Sequence, residues 1–190
     1  MFKIYNTQLE YFYHSYNKTK NNERCVEVSL GFDFLKRVNN ENVIEIGAVI
    51  PYYSENIIHD VYDIIDPYDK CIRVDLTKTD FSFIGYNVLS ISTIEHIGKG
   101  DYGLEVDNDI GIIFLKKIIK ESKNYLITFP WGYNKIFDEQ IIKEKIEFTL
   151  IRRVSEFVWE HDITNNVDNI LYNHPYCYGN GIILITNISL

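Results

Sequence analysis

The stretch YNVLSISTIEHIG, residues 86–98, is an apolar run that ends abruptly in polar side chains. Such a run is typical of a strand buried inside a sheet. Its polar end delivers hydroxyls, a carboxylate and an imidazole to one edge of that sheet. In open α/β sheets, ligands bind in the crevice beyond the carboxyl ends of the strands. This stretch therefore predicts both a central strand and the edge at which a functional site lies.

Other apolar runs on both sides of this stretch predict the rest of the sheet. Strands are predicted at 43–47, 61–65, 71–75, 87–92, 124–129, 146–154 and 181–189, and helices at 26–38, 107–122 and 138–145. Strands that alternate with helices indicate a largely parallel α/β sheet. The last two runs, separated by a loop-rich stretch at 155–180, indicate a final antiparallel addition at one edge of the sheet.

Two connections depart from a regular pattern. Only residues 66–70 separate the second and third runs, whereas a parallel crossover needs about a dozen residues. Either the third run is an extended segment, or the local strand order is irregular. Between Gly47 and Val61 there is room for a helix of about two turns near Tyr52–Ile57.

Composition narrows the class of protein. The chain has 190 residues, 46% of them hydrophobic, and a net charge of −8, which argues against nucleic-acid and anionic-membrane partners. The three cysteines form no C-x-x-C pair, so neither a disulfide framework nor a metal site is expected. No signal peptide or membrane-spanning run is evident, which predicts a cytoplasmic protein. We expect an N-terminal arm or cap at 1–24 and an α/β domain at 25–190.

Five segments, taken in order, resemble the class I S-adenosylmethionine-dependent methyltransferases. The resemblance is to the small methyltransferase-like proteins found among glycan and polysaccharide biosynthesis genes. The segments are ENVIEIGAVIPYY (41–53), HDVYDIIDPYD (59–69), RVDLTKTDF (73–81), YNVLSISTIEHIG (86–98) and LITFPWGYNKIFD (126–138). The resemblance implies a Rossmann-like, mostly parallel sheet with an antiparallel last strand and helices on both faces, abbreviated around strands 2–3. It also implies S-adenosylmethionine as cofactor and O-methylation of a sugar or glycan precursor.

The same resemblance implies a set of cofactor contacts. Gly47 would let the backbone pass close to the methionine and ribose parts of the cofactor. Glu45 would contact the cofactor, or alternatively form a salt bridge or bind the backbone of the glycine loop. Asp63 and Asp66 compete to accept hydrogen bonds from the ribose hydroxyls. Asp75 would lie beside the adenine amino group, with a solvated loop carboxylate as the alternative.

The polar end of the stretch at 86–98 supplies the remaining cofactor contacts and the catalytic candidates. Ser90 and Ser92 would face the cofactor or substrate, or cap the turn after the strand. Methyl transfer requires the enzyme to align the acceptor and remove its proton. An imidazole has a suitable pKa for that task near neutrality. His96 is therefore the predicted general base, with Glu95 beside it, and the alternative is a histidine that packs against the next helix.

Three residues after the fifth strand are predicted to line the acceptor pocket. Trp131 and Tyr133 can stack on sugar rings, and Asn134 can bind hydroxyls; a structural aromatic turn is the alternative. The family's usual glycine-rich motif is reduced to Gly47. A methyltransferase-like protein with a binding or assembly role and no turnover is thus the alternative function. A nicotinamide-dependent enzyme is disfavoured because no G-x-G-x-x-G follows the first strand.

Overall fold

A computed structural model describes all residues, 1–190, and contains one eight-stranded sheet, a two-stranded hairpin and three α-helices. The strands are β1 (Phe2–Ile4), β2 (Thr7–Leu9), β3 (Val43–Ile46), β4 (Asp60–Asp63), β5 (Ile72–Arg73), β6 (Asn87–Ile91), β7 (Asn124–Pro130), β8 (Thr149–Ser155), β9 (Val158–Asp162) and β10 (Gly181–Thr186). The helices are α1 (Arg24–Arg37), α2 (Ile110–Glu121) and α3 (Lys135–Lys143). No helix is both long enough and apolar enough to cross a membrane.

The large sheet has the strand order β5-β4-β3-β6-β7-β10-β8-β9. The first five strands in that order are parallel to one another, whereas β10 is antiparallel to both β7 and β8. The order reverses at β3, which pairs with the later strand β4 on one side and with β6 on the other. The sheet is therefore mixed but mostly parallel, as the alternation of strands and helices predicted.

The predicted antiparallel addition at one edge of the sheet is present, because β10, β8 and β9 follow β7 and are antiparallel to their neighbours. Strand β10 lies inside the sheet, and five of its six residues are buried. The outermost strand on this side of the sheet is β9, which lies within the stretch that was predicted to be loop. In β9 only Trp159 is buried, because an edge strand has one covered face and its apolar residues are few.

Helices cover both faces of the sheet. Helix α1 packs on one face, where Leu30 and Phe34 join a core cluster with Leu89 of β6. Helices α2 and α3 pack on the other face, in the cluster that contains Val88 of β6. Gly31 lies inside α1 and is buried. A Cβ atom there would lie 2.8 Å from Cδ1 of Ile91, so glycine permits the helix to approach β6 closely.

The region around β4 and β5 is abbreviated. Strand β5 has two residues and pairs in parallel with β4 in the register Tyr62↔Ile72. No helix connects these strands, and the short connection is tolerated because β5 is an edge strand of minimal length. The two-turn helix predicted near Tyr52–Ile57 is wrong: one 3₁₀ turn, Ile50–Tyr52, forms instead.

The segment before α1 is partly regular. Strands β1 and β2 form an antiparallel hairpin, and Phe2 is buried in the core beneath α1. A 3₁₀ segment, Tyr16–Asn21, follows and contains two residues with left-handed backbone conformations. The ring of Tyr16 stacks on Tyr52, with a centroid distance of 4.8 Å and an interplanar angle of 7°. The segment therefore reaches the loop that follows β3.

Candidate functional site

Two neighbouring cavities lie beyond the carboxyl ends of β3, β4 and β6, where the strand order reverses. The first cavity has a volume of about 480 Å³ and is lined by the loops after these strands, by α1 and by the N-terminal segment. The second, of about 470 Å³, is lined by the loops after β4, β5 and β6 and by the start of α2. Their shared wall consists of Asp63, Ile64, Thr93, Ile97 and Leu104. This is the place at which doubly wound sheets bind their ligands.

His96 lies in the wall of the first cavity, at the centre of a polar cluster. Its Nδ1 atom is 2.7 Å from Oδ2 of Asp101, to which the Tyr133 hydroxyl also donates at 3.0 Å. The Lys99 ammonium donates to both oxygens of Asp101, at 3.2 Å each. Because a carboxylate only accepts hydrogen bonds, we assign the imidazole proton to Nδ1, which leaves Nε2 as the free acceptor.

The cluster also sets the protonation of its members. Burial lowers the pKa of His96, and the Asp101 carboxylate only partly offsets this. Burial alone would raise the pKa of Asp101, but hydrogen bonds from His96, Tyr133 and Lys99 lower it below its ordinary value. At neutral pH the pair is therefore a neutral imidazole held by an ionised carboxylate. That is the arrangement of a general base with an orienting partner.

Glu95 precedes this histidine and is almost completely buried, with 1% of its surface exposed. Its Oε1 atom lies 3.8 Å from Nε2 of His96, and its Oε2 atom has no hydrogen-bond partner. Burial raises the pKa of Glu95 well above its ordinary value, and the charge of Glu27 raises it further. Glu95 therefore stays protonated to a higher pH than an exposed glutamate, and its side chain lies beside the imidazole of His96.

Helix α1 contributes an ion pair that sequence reasoning missed. Arg24 lines the first cavity, and its Nη1 atom lies 3.0 Å from Oε2 of the fully buried Glu27. The Ser92 hydroxyl lies 2.9 and 2.8 Å from the two oxygens of Glu27. Ser92 thus lines the first cavity and is hydrogen-bonded to the ion pair of Arg24 and Glu27. The sequence contains one signal of this ion pair, an Arg and a Glu three residues apart in an otherwise apolar helix segment.

The two carboxylates that compete for the ribose are placed differently. Asp63 lies in the shared wall, and its Oδ1 atom accepts the N–H groups of Ile65 and Asp66. Its Oδ2 atom accepts nothing from the protein. Asp66 lines only the first cavity, and its Oδ1 atom accepts the Tyr52 hydroxyl at 2.7 Å. Asp66 also accepts only at Oδ1, so what distinguishes Asp63 is its place in the wall between the two cavities.

Asp75 and Gly47 line the second cavity. The Oδ1 atom of Asp75 accepts both the N–H and the hydroxyl of Thr77, at 3.0 and 2.5 Å, and so caps a 3₁₀ turn. Gly47 has a φ of +86°, and a Cβ atom on it would lie 1.9 Å from Oγ1 of Thr93. The bare Cα of Gly47 thus lets the loops after β3 and β6 approach closely.

Glu45 and Ser90 do not reach either cavity. One oxygen of Glu45 accepts the N–H groups of Val49 and Ile50, at 2.9 and 2.7 Å, and the other is 2.9 Å from Nε2 of His59. The structure therefore shows the alternative considered for Glu45, a bond to the loop backbone. The Ser90 hydroxyl donates to the Ile46 carbonyl at 3.1 Å and is buried within the sheet.

The three residues predicted to line the acceptor pocket separate in space. Tyr133 joins the His96 cluster, whereas Trp131 lines a third cavity of about 540 Å³. Asn134 caps α3 through the N–H of Phe137 and donates to the Glu95 carbonyl at 2.7 Å. Gly132, with a φ of +86°, turns the chain between Trp131 and Tyr133. Asn134 therefore positions the Glu95 loop instead of lining a pocket.

No group of three or more His, Cys, Asp or Glu side chains is arranged to hold a metal ion. Comparisons of the chain with protein-family models, curated proteins and solved structures gave no match.

Proposed function

We propose that this protein is an S-adenosylmethionine-dependent methyltransferase whose cofactor spans the first and second cavities. The observation that carries this proposal is the free Oδ2 atom of Asp63 in the wall that the two cavities share. Counted along the chain, the parallel strands β5-β4-β3-β6-β7 have the order 3-2-1-4-5. That order is the one in which doubly wound sheets bind nucleotides at the reversal point. We propose accordingly that the sheet is a Rossmann-like methyltransferase sheet.

The residues along the cavities suit the parts of this cofactor. A free carboxylate oxygen on Asp63 can accept a ribose hydroxyl, and Asp75 offers its Oδ2 atom to an adenine amino group. Ile97 and Phe114 supply apolar surface to the second cavity, as a purine ring requires. In the first cavity the guanidinium of Arg24 can pair with the cofactor carboxylate. Glu45 and Ser90 have no part in this assignment.

The protein's own contribution to the reaction lies in the first cavity. When bound, the cofactor supplies an electrophilic methyl group. His96 accepts the proton of the acceptor hydroxyl at Nε2, while Asp101 holds Nδ1 and stabilises the imidazolium. Lys99 and Tyr133 keep Asp101 ionised and in place. The acceptor class, a sugar or glycan precursor, rests on the sequence resemblance alone.

A second candidate function is supported by the environment of Gly47. The space into which a Cβ of this glycine would project is filled by the Thr93 side chain. The space that glycine leaves free is thus occupied by a residue of the protein, Thr93, and not left open for a ligand. That observation favours a methyltransferase-like protein with a binding or assembly role and no turnover.

Isothermal titration calorimetry with S-adenosylhomocysteine and S-adenosylmethionine tests the proposed cofactor. We expect saturable binding, and a loss of roughly 10- to 100-fold in Asp63→Asn, because hydrogen bonds to a charged group contribute about 1.5–3 kcal/mol. Asp69→Asn is the matched control, since Asp69 is exposed and lines neither cavity. No binding to the wild-type protein at millimolar cofactor contradicts the cofactor assignment.

Turnover separates the two candidate functions. Labelled S-adenosylmethionine is incubated with the protein and a panel of sugar and glycan acceptors. Transfer that is lost in His96→Gln supports the enzyme. Tight cofactor binding with no transfer to any acceptor supports the non-catalytic candidate.

A further inference from the structure

The third cavity, introduced above through Trp131, shares no lining residue with the first two. It lies between the start of α3 and the loop that precedes β10. Its walls include the aromatic rings of Trp131 and Tyr172 and the side chains of Ile142 and Leu171. The methyltransferase proposal makes no use of this space.

Asp138 supplies a buried carboxylate to the third cavity. Only 4% of its surface is exposed. Its Oδ2 atom accepts the Gly132 N–H at 2.8 Å, while its Oδ1 atom has no hydrogen-bond partner. Burial raises the pKa of this carboxyl group to about 7. A buried carboxylate with one oxygen left unpaired is costly, so a cation that binds in the cavity against the Asp138 side chain would offset part of that cost.

The aromatic walls are held by the fold itself. Trp131 stacks on Phe148 with a centroid distance of 6.5 Å, and Tyr172 makes an edge contact with Tyr133 at 5.3 Å. Rings fixed in this way keep their remaining surface available to the cavity. Aromatic faces attract organic cations as well as apolar groups.

The charges around the third cavity favour a cation over an anion. Besides Asp138, the charged or titratable groups in its wall are Lys135, Glu139 and His174. Two carboxylates therefore face one lysine. A neutral hydroxyl could also donate to Asp138, but it would leave the buried negative charge uncompensated.

We propose that the third cavity binds a small organic cation, a protonated amine with an apolar body. The ammonium lies against the Asp138 carboxylate, and the apolar part lies against Trp131 and Tyr172. The inference does not depend on the methyltransferase proposal, because the two sites share no residue.

Fluorine NMR provides a direct test, since the chain has only two tryptophans. Protein labelled with 5-fluorotryptophan gives two resonances, and Trp131→Phe identifies that of Trp131. The probes are cyclohexylammonium and cyclohexanol, which share a shape and differ in charge. At about pH 8, where the Asp138 carboxyl group is ionised, we expect cyclohexylammonium to shift the Trp131 resonance saturably. Cyclohexanol should bind at least about tenfold more weakly.

Substitutions test whether cyclohexylammonium binding depends on the Asp138 carboxylate. Asp138→Asn should weaken cyclohexylammonium binding at least about tenfold, whereas Glu147→Gln, a change in an exposed carboxylate that does not line the cavity, should leave it within about twofold. No saturable shift, an equal response to cyclohexanol, or unchanged binding by Asp138→Asn overturns the proposal.

If the Asp138 variant does not fold, a measurement on the unsubstituted protein still tests the proposal. Lowering the pH to about 5 protonates Asp138 and should weaken binding at least about tenfold, while the probe stays charged. His174 also gains charge in this range, so the titration is repeated in His174→Gln. Loss of binding that depends on His174 and not on Asp138 contradicts the assignment.

Discussion

The Nδ1 atom of His96 lies 2.7 Å from Oδ2 of Asp101, five residues further along the chain. Gly98 and Gly100, with φ values of +78° and +84°, turn the chain back between them. Tyr133, which follows β7, completes the cluster from a distant part of the sequence. The contact between His96 and Asp101 therefore depends on the tight loop between them and on the hydrogen bond from Tyr133, just after β7, to Asp101. It gives the first cavity an oriented imidazole.

His96→Gln should reduce methyl transfer by about 10² or more, because the substitution removes the proposed general base. Cofactor affinity, measured by calorimetry, should change little. His161→Gln is the control, since His161 lies on the edge strand β9, away from both cavities. Near-wild-type turnover in His96→Gln removes His96 from the mechanism.

The pH dependence of kcat/KM should report the state of His96. Burial lowers the pKa of His96, so the base form persists as the pH falls below about 6.5. Asp101 raises that pKa, so Asp101→Asn should shift the acidic limb of the profile to still lower pH. A purely structural role for Asp101 would lower the rate without moving the limb.

Gly47→Ala should destabilise the protein for two separate reasons. A left-handed backbone costs a non-glycine residue about 1–3 kcal/mol, and the new methyl group would overlap Thr93. Gly85→Ala isolates the first effect, since Gly85 has a φ of +84° and no atom lies within 4 Å of the place that its new methyl group would take. We expect urea denaturation to show an additional loss of about 1–3 kcal/mol for Gly47→Ala. Equal losses would show that Thr93 gives way.

Stability should depend on pH through Asp138. Its pKa in the folded protein is about 7, against 3.8 in the unfolded chain. Between these values the folded state binds more protons than the unfolded state, so the free energy of unfolding falls as the pH rises and levels off above about pH 7. Asp138→Asn should therefore stabilise the protein at about pH 8, by up to about 4 kcal/mol, and have little effect near pH 4. Chemical denaturation at both pH values checks this, and a uniform effect would contradict it.

The stacked rings of Tyr16 and Tyr52 should help to hold a ligand in the first cavity. Both residues line that cavity, and an aromatic face stacked on a ligand ring contributes about 0.5–1.5 kcal/mol. Tyr16→Ala should weaken S-adenosylhomocysteine binding by roughly 2- to 10-fold, measured by calorimetry. Tyr13→Ala is the control, because Tyr13 is an exposed tyrosine in the same segment and lines neither cavity. Equal effects of the two substitutions would exclude a specific role for the stack.

The central strands and the helices were predictable because their signals are local. Strands β3 and β6 are buried on both faces and are continuous apolar runs in the sequence. The edge strand β9 and the interior position of β10 were not predictable. Both depend on which strands pair, and pairing partners are far apart in the chain.

The candidate site also has one part that was predictable from the local sequence and one part that was not. The stretch at 86–98 determined by itself that a polar loop follows a central strand, since an apolar run that ends in such residues can pack in few other ways. Only the tertiary structure decided which of those side chains face a cavity. Ser92 binds Glu27, which is 65 residues away, and Tyr133 reaches Asp101 across 32 residues. A buried polar group takes whichever partner the packing of distant elements brings within hydrogen-bonding distance, and no local pattern encodes that choice.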